Sequence, residues 1–433
     1  MSEYFDIAAA LYTGNLTFFV GTGFSKELTG GKAPSWSNLL DLCYNEIKNN
    51  RSQTDKSELD GFYGKKIDPL IYAEFLEVEL KKEGRLLRDI IKQIISDRTS
   101  NKELDADAVK CIKDFFSSKP GVNFITTNYD TLLSDHIFPQ ENSAFVEGQV
   151  FTRKKSKYNI YHVHGCITNP ETIVVTNQDY YSFQNKRGYL SRKLYTLFQE
   201  TTVVILGYSL GDFNLNTILN EVHKSRKKTF RYADIYFVSR DKVPDVIANL
   251  YSEMYGIHVI SETSIREFFS SLDNRYEDAK SSFEFIGVKD IEKNFLCDPS
   301  NYQKVLSNDF TIRFLFLCAS LVGKDLSDIA FIDFVLEVLK QKSNIISSER
   351  DVYSYIDWLV YLASVILINE EMENKFKELL YPLYNEQEGC DFYNFYNFCL
   401  EEKKIKPENM KFFERLKEEF DEIQQRDYDQ GVL

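Results

Sequence analysis

LTFFVGTGFS, residues 16–25, is the stretch whose reading decides the fold. Residues 16–20 have the length and the aromatic and β-branched content of a strand buried on both faces. Gly21 and Gly23 then let the backbone turn tightly, and leave no Cβ between it and a ligand. A turn of this kind at the end of a buried strand offers backbone N–H groups, and usually a helix N-terminus, to a phosphate or pyrophosphate. Gly21, Thr22, Gly23 and Ser25 are therefore candidate ligand contacts. A plain tight turn fits the same residues, because the third glycine of the dinucleotide fingerprint is missing, so the reading depends on the rest of the chain.

Downstream, strand-like runs recur as VNFITTNYD (122–130), NIYHVHG (159–165), TIVVT (172–176), TTVVILGYS (201–209), DIYFVSR (234–240) and IHVI (257–260). Most are separated by helix-like segments, the pattern of a parallel α/β sheet. Between about Trp36 and Ser117 the apolar residues recur at helical spacing, as in PLIYAEFLEVELKK and RLLRDIIKQIISD, and three or four inserted helices are expected there. After about Leu272 glycine becomes rare, and long amphipathic stretches rich in Phe, Tyr, Leu and Glu take over. The expected architecture is a Rossmann-like parallel sheet with inserted helices over residues 1–272, then an acidic, aromatic-rich, all-α domain over 273–433.

Composition narrows the function. The 433 residues are 43% hydrophobic and 15% aromatic, enough to build large cores. From Asp273 onward there are 32 acidic and 19 basic residues, against 34 and 33 before it, so the net charge of −14 lies almost wholly in the second part. A near-neutral first part suits a small anionic ligand in a local pocket, and no direct nucleic-acid binding is expected. The seven cysteines are scattered without a C-x-x-C pair, which points to no metal site and no disulfide framework. The acidic N-terminus lacks the basic start of a secretory signal, and the longest apolar run, residues 358–368, is too short to span a membrane. A cytoplasmic protein without membrane contact is the expectation.

Ligands on parallel sheets sit at the carboxyl ends of strands, which singles out four places: the first glycine turn, residues 126–130, His164 with Gly165, and the second glycine turn at residues 207–212. Asn128 both donates and accepts hydrogen bonds, which suits a ribose hydroxyl or a water; capping of a helix by Asn128 or Asp130 is the structural alternative. A regular strand puts His162 and His164 on one face, so periodicity does not separate them. The strand-end position favours His164, whose imidazole suits a general base near neutral pH. Trp36, after the loop containing Gly30 and Gly31, is either a flat lid over the ligand or an anchor of the following helix.

In chain order, GTGFS, TTNYD, HVHG and GYSLGD resemble the glycine turn, the T-x-N-x-D segment, the catalytic His-Gly and the G-x-S-L turn of the sirtuin family. The resemblance is nearest to the sirtuin-like NAD-hydrolysing effectors of bacterial anti-phage systems. It implies NAD as substrate, bound on a Rossmann-like sheet. Gly21, Gly23 and Ser25 would contact the pyrophosphate and adjoining ribose, and Asn128 and Asp130 would form the nicotinamide-ribose site, with His164 as base. Gly207 and Ser209 would close over the phosphate or adenosine side, and Ser239 would lie near the adenosine. Only Cys166 stands between Gly165 and Gly207, so the four-cysteine zinc module of protein-deacylating sirtuins is absent, and APSWSNLL lacks the arginine of their Pro-x-Phe-Arg pattern. The resemblance implies an NAD hydrolase with a gated activity in phage defence. Its alternatives are a metal-free deacylase or ADP-ribosyltransferase, and a non-catalytic sensor of NAD or ADP-ribose. An ungated NAD hydrolase would deplete its own cell, so activity is expected to depend on assembly into a homo-oligomer or on a partner, with the helical domain either the means of assembly or a domain that only packs on the sheet. The resemblance implies a separately encoded HerA-like ATPase as partner.

Overall fold

The computed structural model describes residues 3–49, 68–149, 156–186, 188–209, 213–226 and 234–286. Beyond these it describes 316, 319, 329–344, 346, 349–383, 392–393, 395–397 and 405–429. The chain divides into two compact units, residues 2–228 with 233–280, and residues 281–433.

Strand β1, Leu16–Val20, is buried at every position because it lies between two parallel neighbours, β2 (Asn123–Thr126) and β5 (Thr202–Leu206). Phe18 stands level with Phe124 on one side and with Val204 on the other. With β3 (Asn142–Val146), β4 (Tyr158–His162), β6 (Ile235–Val238) and β7 (Ile257–Ile260), the strands form a seven-stranded sheet in the order β3-β4-β2-β1-β5-β6-β7, every pair parallel. The chain builds outward to one side after β1 and to the other after β5. The crevice outside the carboxyl ends of these two strands is therefore the topological switch point, where an open α/β sheet binds its ligand.

Helix α1 (Glu3–Tyr12) precedes β1, and α2 (Thr22–Leu28) follows it. Among the described residues the insert consists of four helices: α3 (Trp36–Asn49), α4 (Pro69–Lys82), α5 (Leu87–Arg98) and α6 (Ala106–Ser117). Two of them start where their residues favour a start. The Asp68 side chain accepts from the N–H groups of Leu70 and Ile71 ahead of Pro69, and Asp105 accepts from Ala108 N–H. Leu39, Leu40, Cys43 and Ile47 recur at helical spacing and pack with Leu76, Leu80 and Ile91 into a second core beside the sheet.

Two strand expectations are corrected. TIVVT forms no strand: residues 173–176 run without secondary structure after a short turn of 3₁₀ helix, Pro170–Thr172. Its backbone groups are committed elsewhere. Val174 N–H donates to His164 O, the Val174 carbonyl accepts from Tyr129 Oη, and the N–H groups of Val175 and Thr176 donate to Asp179 Oδ2. The unexpected strand is β3, whose partners lie only on the β4 side and whose residues are mostly half-buried.

In the second unit the described helices are α8 (Ile329–Ser343), α9 (Glu349–Val365), α10 (Glu370–Leu380) and α11 (Met410–Asp429). Asn409, 1% exposed, donates to the carbonyls of Ala363 and Ile366 and accepts from Ile368 N–H. It thus satisfies the orphan carbonyls at the end of α9. The described residues of this unit are largely helical, as their apolar spacing implies.

Candidate functional site

A cavity of about 620 Å³ opens at the switch point, with Thr22, Ser25, Asn128, Asp130, His164, Tyr208 and Ser209 along its sheet side. Trp36, Leu39, Leu70, Ile95, Tyr180 and Tyr181 complete the wall from the insert and from α7 (Asn177–Lys186). Of the residues expected to bind or react, Thr22, Ser25, Trp36, Asn128, Asp130, His164 and Ser209 lie together on this one surface.

The expected glycines do something different from cradling a ligand. Gly21 N–H donates to Leu206 O at 3.0 Å and Gly23 N–H to Gly207 O at 2.7 Å, which continues the β1–β5 pairing into the two turns. A Cβ on Gly23 would stand 2.6 Å from the Gly207 Cα, and one on Gly21 would stand 2.6 Å from the Gly207 carbonyl oxygen. Gly21, Gly23 and Gly207 are absent from the cavity wall; they let two strand ends close on each other, and Thr22 and Ser209 beside them reach the cavity. Leu210, Gly211 and Asp212 lie outside the described residues. Ser239, at the end of β6, also stands off the cavity, with its hydroxyl donating to Asp241 O at 2.8 Å.

The polar centre is a buried chain of side chains from two strand ends. Asn128 Nδ2 donates to Gly21 O and to Ser25 Oγ, both at 2.8 Å, and Ser25 Oγ donates to Asp130 Oδ2 at 2.6 Å. Asp130 Oδ1 accepts from Leu132 N–H at 3.1 Å. Burial pushes the Asp130 carboxyl above its ordinary pKa, against the opposing pull of the Ser25 hydroxyl and the Leu132 N–H. Asn128 Oδ1 is buried and has no hydrogen-bond partner among the described residues, so this cavity-lining residue keeps one unspent acceptor.

The two histidines separate cleanly. His162, the last residue of β4, is 1% exposed, and its Nδ1 lies 3.3 Å from Asn128 O. A carbonyl only accepts, so Nδ1 carries the proton, and His162 serves as a support of the Asn128 backbone. His164 lies past the strand end, lines the cavity, and packs edge-on against Tyr180 and Phe183 of α7, with ring centroids 5.3 and 5.6 Å away. The N-terminus of α7 is tied to the insert by Arg88, which reaches both Asp179 carboxylate oxygens at 2.7 Å and donates to Ile173 O. Sequence reasoning missed Arg88, Tyr180 and Tyr181, since no strand end or glycine turn marks them.

Burial pushes the His162 pKa down, outweighing the Asn128 carbonyl and the charges of Asp130 and Asp135. A base with a depressed folded pKa gives stability that is complete above its unfolded value of about 6.5 and is lost as pH falls through the folded value. His162→Gln is therefore expected to flatten the fall in melting temperature between pH 7.5 and 5.5. Equal slopes in the two proteins would remove His162 as the cause.

Trp36 begins α3, packs on the insert core, lines the cavity and stands 6.4 Å from Tyr180 between ring centroids. It is half-buried, so Trp36→Ala is expected to cost less than the roughly 3–5 kcal/mol of a fully buried aromatic. A thermal-unfolding loss of that full size would mark it as a core anchor instead of a wall residue.

Residues 122–260, from just before β2 to the end of β7, match the SIR2-like domain family. This stretch of the chain is thus similar to a SIR2-like domain. Over 271 residues the chain is 27% identical to defense-associated sirtuin 2 of Bacillus subtilis, covering 60% of this chain and 24% of that protein. Over 244 residues it is 25% identical to NAD(+) hydrolase ThsA of Bacillus cereus (strain MSX-D12), covering 55% of this chain and 46% of that protein. It thus spans between about a quarter and about a half of the length of these curated relatives. Among the described residues no group of three or more His, Cys, Asp or Glu side chains is placed to hold a metal ion. Also among them, no helix is long and apolar enough to cross a membrane.

Proposed function

We propose that this protein hydrolyses NAD to nicotinamide and ADP-ribose, as an effector of anti-phage defence that depletes the dinucleotide. The observation that carries the reading is the meeting of Asn128 and His164, 36 positions apart in the sequence, on one cavity wall at the switch point of the sheet. The cavity volume of about 620 Å³ suits a nucleotide-sized ligand. The names of the two relatives support the same reading.

In this mechanism Asn128 Oδ1 accepts a hydroxyl hydrogen of the nicotinamide ribose or of the attacking water. The bond from the ribose C1′ to the pyridinium nitrogen breaks through an oxocarbenium-like state, and its electron pair leaves with neutral nicotinamide. Water bonds to C1′, and its surplus proton passes to His164. Thr22 and Ser209 are the hydroxyls on the sheet side with reach toward the phosphates. Because an ungated NAD hydrolase would deplete its own cell, activity depends on assembly or a partner, and the second unit is the means of it.

Mass spectrometry of NAD incubated with the protein tests the reading. Free ADP-ribose with nicotinamide is the expected result. Acylated or protein-linked ADP-ribose would replace the hydrolase by a transferase, and NAD that stabilises the protein but stays intact would replace it by a sensor. Light scattering tests the assembly, and a strictly monomeric protein that is fully active alone would overturn it.

A further inference from the structure

Ser25 and Asp130 were expected to touch the ligand, but their hydrogen bonds are already committed. Ser25, Asn128 and Asp130 are 3%, 6% and 8% exposed, so water does not compete for them. Asn128 presents two amide hydrogens, and both are placed: one on Gly21 O, the other on Ser25 Oγ. The Gly21 carbonyl only accepts, so the carboxamide cannot be turned over without setting two acceptors against each other. Ser25 has one proton, and at 2.6 Å from Asp130 Oδ2 it is spent there. Asp130 spends its other oxygen on Leu132 N–H. The backbone of Asn128 is held too, by Thr126 Oγ1 on its N–H and by His162 Nδ1 on its carbonyl.

We propose that Ser25 and Asp130 are positioning residues that lock the Asn128 carboxamide as a hydrogen-bond acceptor. The group taken by Asn128 is then a hydroxyl or a water, and neither a carbonyl nor a phosphate oxygen. The orientation follows from hydrogen-bond accounting alone: no amide hydrogen is left for a ligand, while Oδ1 is buried without a partner among the described residues. The identity of the hydroxyl, on the ribose next to the departing pyridine, rests on the NAD reading. Ser25, with no proton to give, is a poor phosphate contact.

Binding calorimetry in the His164→Ala background, where NAD is not consumed, tests this with NAD and with its 2′-deoxy and 3′-deoxy analogues on the nicotinamide ribose. One analogue is expected to bind about tenfold more weakly than NAD, the worth of one hydrogen bond. Adding Ser25→Ala, which leaves only Gly21 O to hold the carboxamide, is expected to shrink that difference by weakening NAD more than the analogue; Asp130→Asn, which attacks the same chain from its other end, is the second variant and is expected to act in the same direction. If Ser25→Ala instead weakens NAD and both analogues by one common factor, Ser25 touches the ligand directly and the proposal is wrong. Failure of NAD to bind the protein at all would sink the NAD reading. The orientation is then judged on hydrogen exchange of the Asn128 side-chain amide, observed by NMR without ligand. The proton that faces Ser25 should be protected in the parent and exposed in Ser25→Ala, and equal exchange in the two overturns the proposal.

Discussion

His164→Ala is expected to lower nicotinamide release by about 10²- to 10⁴-fold, the usual cost of removing a general base. The loss should fall on kcat with KM for NAD nearly unchanged, because the imidazole acts on the proton of the attacking water. His164 is 5% exposed and packs between Tyr180 and Phe183, so truncation to Ala leaves a gap in the wall. His164→Gln keeps most of the volume and cannot take the proton in the same way. It should match the Ala variant in rate while melting closer to the parent. The measurement is nicotinamide release by chromatography, under conditions in which the parent turns over. If both variants release nicotinamide like the parent, His164 is not the base.

The sheet was legible because burial on both faces writes itself into sequence. Residues 16–20 and 202–206 read as unbroken apolar runs, and each ends in glycine where the ladder stops. The strand-end rule then marked Asn128, Asp130, His164 and Ser209 without any knowledge of which strands are neighbours. It worked less well where the apolar residues serve something other than a ladder. Ile173 and Val175 look like strand residues, yet they fill the insert core, while the Val174 backbone between them bonds to His164 O and Tyr129 Oη and the Val175 N–H donates to Asp179. Strand β3 hid for the opposite reason, since an edge strand with one neighbour carries polar residues such as Asn142 and Ser143.

The division of labour inside the site was not legible at all. Ser25 and Asp130 are separated by 105 positions, and nothing in either motif says that the hydroxyl of one is spent on the carboxylate of the other. Likewise G-T-G reads as a phosphate cradle, but the folded chain uses its glycines for contact with a third glycine 184 positions after Gly23. Such facts depend on which strand ends meet, which is a property of topology. The same holds for Arg88, a helix-face residue in sequence that becomes an anchor of α7 only when the insert folds back over the crevice.

Gly207→Ala is expected to be among the most damaging glycine substitutions in the first unit. Gly207 has φ +60°, so an alanine there costs about 1–2 kcal/mol for its left-handed backbone alone. Its Cβ would lie 2.3 Å from Phe24 N and 2.7 Å from Gly23 C, atoms of another backbone that have no rotamer to escape into. The two turns must separate, and the Gly23 N–H to Gly207 O bond, about 1 kcal/mol, goes with them. Gly14→Ala is the control, because Gly14 has φ +70° but nothing within 4 Å of the added Cβ. It bears the conformational cost and no clash. In urea unfolding Gly207→Ala should therefore lose at least about 1 kcal/mol more than Gly14→Ala, the hydrogen bond being the minimum. Parting the turns also displaces Gly21 O, the acceptor that helps hold Asn128, and moves Thr22 and Ser209 on the cavity wall. NAD turnover should fall in Gly207→Ala and persist in Gly14→Ala. Equal stability and equal turnover in the two variants would show that the glycines are not there for close approach, and would return them to the role of a cradle for phosphate.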